Sequence, residues 1–238
     1  GGTKQANLSA KQVQELPAPI PPLFEQKKIA QILSTWDKAI TTTEQLLANS
    51  RQQKKALMQQ LLTGKQRLLH KDGVKFGGEW KEFSLEEIFT LNKGKALAKS
   101  DLSEMGMNKC ILYGELYTRY TEVIDEVYSK TDKKYGFLSV AGDILIPSST
   151  TTSGIDLANA TALLEDDVQL GGDINILRPK VSMSSEFMAH ILTHVKKYEI
   201  AARTQGITII HLYTSDLKGI KVNIPSDVQE QQKIAAML

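Results

Sequence analysis

The chain has 238 residues, 41% hydrophobic and 24% charged, with 29 Lys and Arg against 27 Asp and Glu for a formal net charge of +2. That composition suits one good core plus a long accessory element, and no apolar run approaches a membrane span. The single cysteine, Cys110, excludes an internal disulfide and reads as a buried thiol in a strand. The opening Gly1-Gly2-Thr3-Lys4 resembles neither a signal peptide nor a natural start, so the expectation is a cytoplasmic protein seen as a fragment.

The two ends of the chain are copies of each other. Glu25-Gln26-Lys27-Lys28-Ile29-Ala30 recurs as Glu230-Gln231-Gln232-Lys233-Ile234-Ala235, and upstream Gly2, Leu8, Val13, Leu16, Ile20 and Pro21 face Gly206, Leu212, Leu217, Ile220, Ile224 and Pro225 at a spacing of 204. A repeat this long is a whole domain plus a connector, far beyond a solenoid unit.

From Leu23 to Leu62 there is no Gly or Pro, and the residues are mostly good helix formers. Pro21-Pro22 fits the entrance of a helix and Thr63-Gly64 its exit, giving an element roughly 60 Å long. Ile29, Leu33, Trp36, Ile40, Thr43, Leu47, Ser50, Lys54, Leu57 and Leu61 step by four and three, a heptad seam whose middle is weakened by its polar members. The expectation is a pair of long helices, Ile29, Leu33, Trp36, Ile40, Leu47, Leu57 and Leu61 forming the contact. The partner is the helix that begins with the second copy, or a second molecule. Between Glu44 and Asp72 there is no acidic residue, but Arg51, Lys54, Lys55, Lys65, Arg67 and Lys71 are present. A solvated face and a basic flank for phosphates remain alternatives.

Past a Gly-rich linker, Trp80 to Phe83 reads as a strand, and Ser84 caps a short helix from Leu85 to Phe89 with Glu87 completing a capping box. Short apolar runs follow at Lys109–Tyr113, Val123–Tyr128, Phe137–Val140, Asp143–Ile146, Ala158–Leu164, Asn175–Leu177 and Ile207–Leu212, all strand-like. A helix from about Glu186 to Arg203 interrupts them, capped by Ser184 or Ser185, with Phe187, Ile191, Leu192 and Val195 on one face. The fold class is α+β, a mixed domain joined to a long coiled-coil-type helix.

Neither nucleotide-binding glycine signature occurs, nor the Asn/Asp-Pro-Pro-aromatic tetrapeptide of amino-methyltransferases. His190 and His194 stand four apart on the helix, but Ile191 replaces the glutamate of the zinc-protease pattern and no third ligand is evident in the sequence. Asp72 with Glu79-Trp80-Lys81 resembles the core of metal-dependent nucleases, a short pattern that a linker entering a strand explains as well. What remains suits nucleic acid. Lys93, Lys95 and Lys99 form a basic, flexible loop, and Tyr113, Tyr117 and Tyr120 interleave with Arg119. Ser148, Ser149, Thr150 and Thr151 offer hydroxyls without bulk, and Arg203, Gln205 and His211 bring base-reading side chains to another loop. Arg pairs with guanine and Gln with adenine, worth about 1–3 kcal/mol of discrimination each.

With these motifs, the helix-closing Leu61-Leu62-Thr63-Gly64-Lys65, Ala141-Gly142-Asp143-Ile144-Leu145-Ile146 and Gly172-Asp173-Ile174-Asn175-Ile176-Leu177-Arg178-Pro179, the chain resembles the specificity subunit of a type I restriction-modification system. The resemblance implies residues 1–19 as the tail of a first target recognition domain, 20–69 as a spacer helix, 70–224 as a second recognition domain and 225–238 as the start of a second spacer helix. It implies double-stranded DNA as ligand, each domain reading half of a split sequence, with a spacer of at most about 18 base pairs. It implies two methylation subunits and the restriction subunits as partners, with S-adenosylmethionine, ATP and magnesium used there and no cofactor or catalytic residue in this chain. A homodimer through the long helices would read a symmetric site. The alternative is a non-DNA adaptor that uses the long helix for protein assembly, and a nuclease is the third option.

Overall fold

The computed structural model describes residues 9–17, 19–70 and 72–238, so Gly2, Leu8 and Lys71 lie outside the described residues. The chain divides into two compact units, one up to Gln53 and one from Lys54 to Leu238.

The first unit holds α1 (Ala10–Gln14) and most of α2 (Leu23–Leu62), the latter with the bounds its sequence predicts. The entrance of α2 is set locally. Pro22 O accepts from Glu25 N and Gln26 N, while Gln26 Nε2 donates to Pro21 O at 2.7 Å. Thr35, Thr41, Thr42 and Thr43 each turn their hydroxyl back to the carbonyl four residues earlier, so they satisfy themselves without breaking the helix. Ile29, Leu33, Trp36, Ile40 and Leu47 of the seam are each at least 44% exposed. Its last two members do something else. Leu61 is buried in the core of the second unit, with Leu57 packed against that core. That corrects the expectation for these two: a helix end must fasten to its domain, and the seam's spacing puts them on the face that does so.

The exit of α2 is a tight fit. Gly64 has φ +69°, and a Cβ there would lie 2.8 Å from the Trp80 ring. Glycine meets both demands at once.

In the second unit the elements after α2 are β1 (Trp80–Ser84), α3 (Leu85–Ile88), β2 (Phe89–Lys93), β3 (Asn108–Ile111), α4 (Glu115–Thr118), β4 (Val123–Ile124), β5 (Lys130–Thr131), β6 (Phe137–Leu138) and β7 (Asp143–Pro147). There follow β8 (Ser149–Thr150), β9 (Thr161–Leu163), β10 (Gln169–Leu170), β11 (Ile174–Pro179), α5 (Ser185–His190), α6 (Lys197–Ala201), β12 (Ile210–His211), α7 (Thr214–Leu217), β13 (Lys221–Pro225) and α8 (Val228–Ala235). The central sheet has the order β2-β11-β7-β9-β4, antiparallel except for the parallel β4–β9 pair. A smaller sheet, β5-β3-β10-β6, and two strand pairs, β1–β13 and β8–β12, surround it.

The central sheet is buried on both faces, which explains the unbroken run Ile144-Leu145-Ile146. Successive side chains point to opposite faces. Ile144 and Ile146 join Leu61, Leu62, Phe89, Phe187, Leu192, Val222 and Ile234 in one core. Leu145 joins Ile111, Leu116, Leu163, Leu170 and Ile176 in the other. The β1–β13 pair brings the start of the domain to its end, Trp80 opposite Pro225. Arg67 locks the same closure through two hydrogen bonds to the fully buried Glu230 carboxylate, at 2.6 and 2.7 Å, and a third to Gly78 O. Arg67 is thereby removed from the basic flank considered above.

Several elements differ from the sequence expectation. Ser84 N donates to the Glu87 carboxylate, the bond a capping box requires, and Ser84 Oγ donates to the same oxygen, but the chain then turns directly into β2, whose alternating Thr90, Leu91 and Asn92 are too polar to announce a strand. The run Val123–Tyr128 contributes only its first two residues to a sheet, and Ile207–Leu212 only Ile210 and His211. The helix after Ser184, which is the cap and accepts from Phe187 N, has a π turn at Ile191–Val195 with a hydrogen bond from Lys196 N to Ile191 O. That extra residue per turn rotates Val195 off the buried face and leaves it exposed.

Candidate nucleic-acid interface

Register decides what meets at one end of the central sheet. β2 finishes at Lys93 opposite Asn175, and β7 finishes at Pro147 opposite Ile174, where β11 begins. The segments leaving β2 and β7 therefore emerge side by side. A third joins them, because β12 pairs with β8 and Asn175 Nδ2 donates to Leu212 O at 3.0 Å.

The first segment is fixed, not flexible as expected. Gly94 N donates to Ile174 O and Lys95 N to Leu170 O, and Gly94 runs so close to Gly171 O that a Cβ would fall 1.9 Å from it. Beyond it Ala96 and Leu97 hold positive φ angles of 44° and 52°, strained for non-glycine residues. They border a cleft of about 680 Å³ also lined by Lys99, Leu112, Tyr113, Glu115, Arg119 and Asp173. Lys93, Lys95, Lys99 and Arg119 are exposed at or near this cleft. Two carry weak acidic neighbours, Lys93 at 3.6 Å from Asp173 and Arg119 at 3.4 Å from Glu115. The Arg119 guanidinium also sits 5.3 Å from the Tyr128 ring centroid. Tyr113 and Tyr117 are half-buried neighbours with centroids 6.4 Å apart. The geometry offers cations beside aromatic rings in a concave site, the chemistry that holds phosphate and stacked bases.

Tyr120 is committed to structure. Its ring stacks on Tyr128 and its hydroxyl accepts from Tyr128 N at 3.3 Å.

The hydroxyl-rich stretch divides. Ser148, Ser149 and Thr150 are buried, at 4%, 5% and 3% exposure, because they pair with or abut β12 and the residue after it, where Leu212 N donates to Ser148 O. They are corrected from exposed DNA contacts to buried residues, Ser149 and Thr150 in β8 and Ser148 just before it; Thr151 beyond them is exposed. Arg203 is also corrected: it donates to Asp216 O at 2.9 Å and lies 3.3 Å from Glu199, so its guanidinium closes a loop. Gln205 is exposed and His211 half-exposed, their backbones exchanging two hydrogen bonds at the neck of a hairpin. Its tip, Ile207, is 98% exposed. Gly206, φ +115°, permits the turn, since a Cβ there would lie 2.1 Å from Ile209 O. The sequence reading missed this projecting tip because Ile207-Thr208-Ile209-Ile210 looks like a strand; Gly206 was the available signal.

Of the candidate nuclease residues, Glu79 is exposed and 3.9 Å from Lys81, and Asp72 accepts from Val74 N in a turn. Cys110 is fully buried and its thiol is pushed up to about 11 by burial, which leaves it protonated and unreactive. The histidine pair gains what the sequence did not reveal. Glu122 reaches His194 Nε2 at 2.6 Å, and His190 stacks on His194 with centroids 5.8 Å apart. The His194 hydrogen bond holds the Glu122 carboxyl down at about 2 against its partial burial, while burial lowers His190.

Among the described residues no helix is long and apolar enough to cross a membrane. Compared with known proteins, the chain is 25% identical over 251 residues to the type I restriction enzyme MjaVIII specificity subunit of Methanocaldococcus jannaschii, covering all of this chain and 58% of that one. It shares its fold with a chain of a type I restriction-modification system solved for complex assembly and conformational transition, with TM-score 0.64 and 18% identity over 99% of this chain and 56% of the other. The HsdS subunit from Thermoanaerobacter tengcongensis gives TM-score 0.57 and 18% identity over 100% and 55%. The chain thus spans a little over half the length of the relatives it matches. The model of the type I restriction modification DNA specificity domain matches residues 1–49 and 77–238, and the chain belongs to that family.

Proposed function

We propose that this chain is the DNA-reading part of a type I specificity subunit. Residues 70–224 read one half of a bipartite sequence, α2 spaces that half from the other, and α8 opens a second spacer helix. The observation that carries this is the convergence at one end of the central sheet of Lys93, Lys95, Lys99, Tyr113, Tyr117, Arg119, Thr151, Gln205 and His211, drawn from four segments. Fixed backbone at such a site favours specific readout, because little ordering entropy is lost on binding. Adenine methylation and DNA cleavage are carried out by two methylation subunits and by restriction subunits, which use S-adenosylmethionine, ATP and magnesium. The bare seam Ile29, Leu33, Trp36, Ile40 and Leu47 takes a second long helix, from the same polypeptide or from a second copy in a homodimer.

Co-expression with a methylation subunit, followed by methylation of a DNA library with labelled S-adenosylmethionine, tests the proposal. Labelling of one sequence class only when both proteins are present supports it. A stable complex whose labelling ignores DNA sequence refutes it. Light scattering then assigns the helix partner, a monomer excluding the homodimer.

A further inference from the structure

Away from the cleft, three donors from two distant stretches meet. His190 closes α5, His194 lies in the π turn that follows, and Glu122 directly precedes β4. One ring nitrogen of each histidine and one carboxylate oxygen all lie within 4.8 Å of one another. We propose that Glu122, His190 and His194 bind a divalent transition-metal ion of the zinc class, which clamps the π turn to the β4–β9 edge of the central sheet.

Tetrahedral zinc with ligands at 2.0–2.1 Å places donor atoms about 3.3 Å apart. The present 2.6 Å contact between His194 and Glu122 therefore opens by less than about 1 Å, and the widest separation contracts by about 1.5 Å, both within reach of side-chain rotation. The scaffold behind the donors is already held. Ala162 N donates to Glu122 O at 2.8 Å, and the Thr193 hydroxyl, between the two histidines in sequence, bonds both Ala160 N and Ala160 O at 2.9 and 3.1 Å. Both ligand-bearing segments are thus tied to β9 or the residue just before it, Ala162 and Ala160.

A second observation points the same way. His190 is 92% buried by its 8% exposure, and its Nδ1 is buried with no hydrogen-bond partner. A buried imidazole nitrogen left unpaired is costly in a structural role, and the stacking on His194 does not satisfy it. The π turn is a third. Such insertions disturb helix geometry and recur at ligand sites. Glu122 also lines a cavity of about 210 Å³ with Leu116, Tyr117, Tyr120, Asn159 and Thr193, which gives an ion an approach from the Glu122 side. Two imidazoles and one carboxylate favour zinc, cobalt or nickel over magnesium or calcium, which prefer all-oxygen sites.

The experiment uses the full chain without a histidine tag, stripped with chelator, and titrated with Zn²⁺ by calorimetry and with Co²⁺ by visible absorption. One equivalent of zinc, a tetrahedral cobalt spectrum and a raised melting temperature are expected, because the ion binds only the folded state. Glu122→Gln and His194→Gln should each weaken zinc at least about tenfold while the far-ultraviolet circular dichroism of the metal-free protein stays unchanged. His190 is left intact because replacing a buried ring risks the fold; the wild-type cobalt spectrum reports imidazole ligation independently. No saturable binding of either ion, or zinc binding in both variants as tight as in the wild type, overturns the site. DNA recognition is not involved in either outcome.

Discussion

The motif Glu-Gln-x-Lys-Ile-Ala occurs twice in this chain, and its two copies share local geometry but differ in what they bury. In both, the glutamine caps the carbonyl of the preceding proline, Gln26 to Pro21 at 2.7 Å and Gln231 to Pro225 at 2.8 Å. The short helix ahead of each copy recurs too, α1 at Ala10–Gln14 and α7 at Thr214–Leu217. In the second copy Glu230, Gln231 and Ile234 are buried, as are Leu217, Ile220 and Ile224 upstream. In the first copy their counterparts Glu25, Gln26, Ile29, Val13, Leu16 and Ile20 are exposed. A helix entrance is therefore written in about a dozen residues, whereas its burial depends on the domain beside it.

The comparison can be broken or sharpened by paired substitutions. The largest difference is expected for the glutamates. Glu230→Ala strands the Arg67 guanidinium and should cost about 3–5 kcal/mol in urea unfolding, while Glu25→Ala should stay within about 0.5 kcal/mol. Next come the isoleucines: Ile234→Ala leaves a cavity worth about 2–5 kcal/mol, and Ile29→Ala again does little to this chain. Smaller still, Gln231→Ala removes the acceptor of the buried Ser184 N and should cost about 1–3 kcal/mol, against a few tenths for Gln26→Ala, whose bond is exposed. Least of all, Leu33→Ala with Trp36→Ala should leave the unfolding midpoint unchanged yet weaken association with a synthetic second spacer helix, read by sedimentation. Equal costs in the two copies would mean that the motif stabilises helices locally and carries no docking information.

How far the sequence could be followed varies with the range of the interaction. The bounds of α2 were legible because Pro21-Pro22, the Gly-free run and Gly64 all act within a turn or two. The capping box at Ser84 and Glu87 was legible for the same reason. The candidate interface was legible only as a set of side-chain types. Lys93, Lys95, Lys99, Tyr113 and Arg119 do gather at one end of the sheet, but Ser148, Ser149 and Thr150 are inside because β8 has a partner 60 residues downstream, Ile210 facing Thr150. Glu122 lies 68 residues before His190 and carried no local signal toward it.

By itself the sequence determined the internal repeat, the long helix, the α+β class and the resemblance to specificity subunits, since these rest on periodicity, caps and motif spacing. Tertiary structure alone decided which hydroxyls are buried, that Arg67 and Arg203 tie the domain together, that Leu61 belongs to the core with Leu57 packed against it, and that Glu122 completes a three-donor cluster. The physical reason is common to all of them. Helical and strand periods are set within a few residues, but burial, ion pairing and ligand geometry are set by strands and helices that meet across the whole chain.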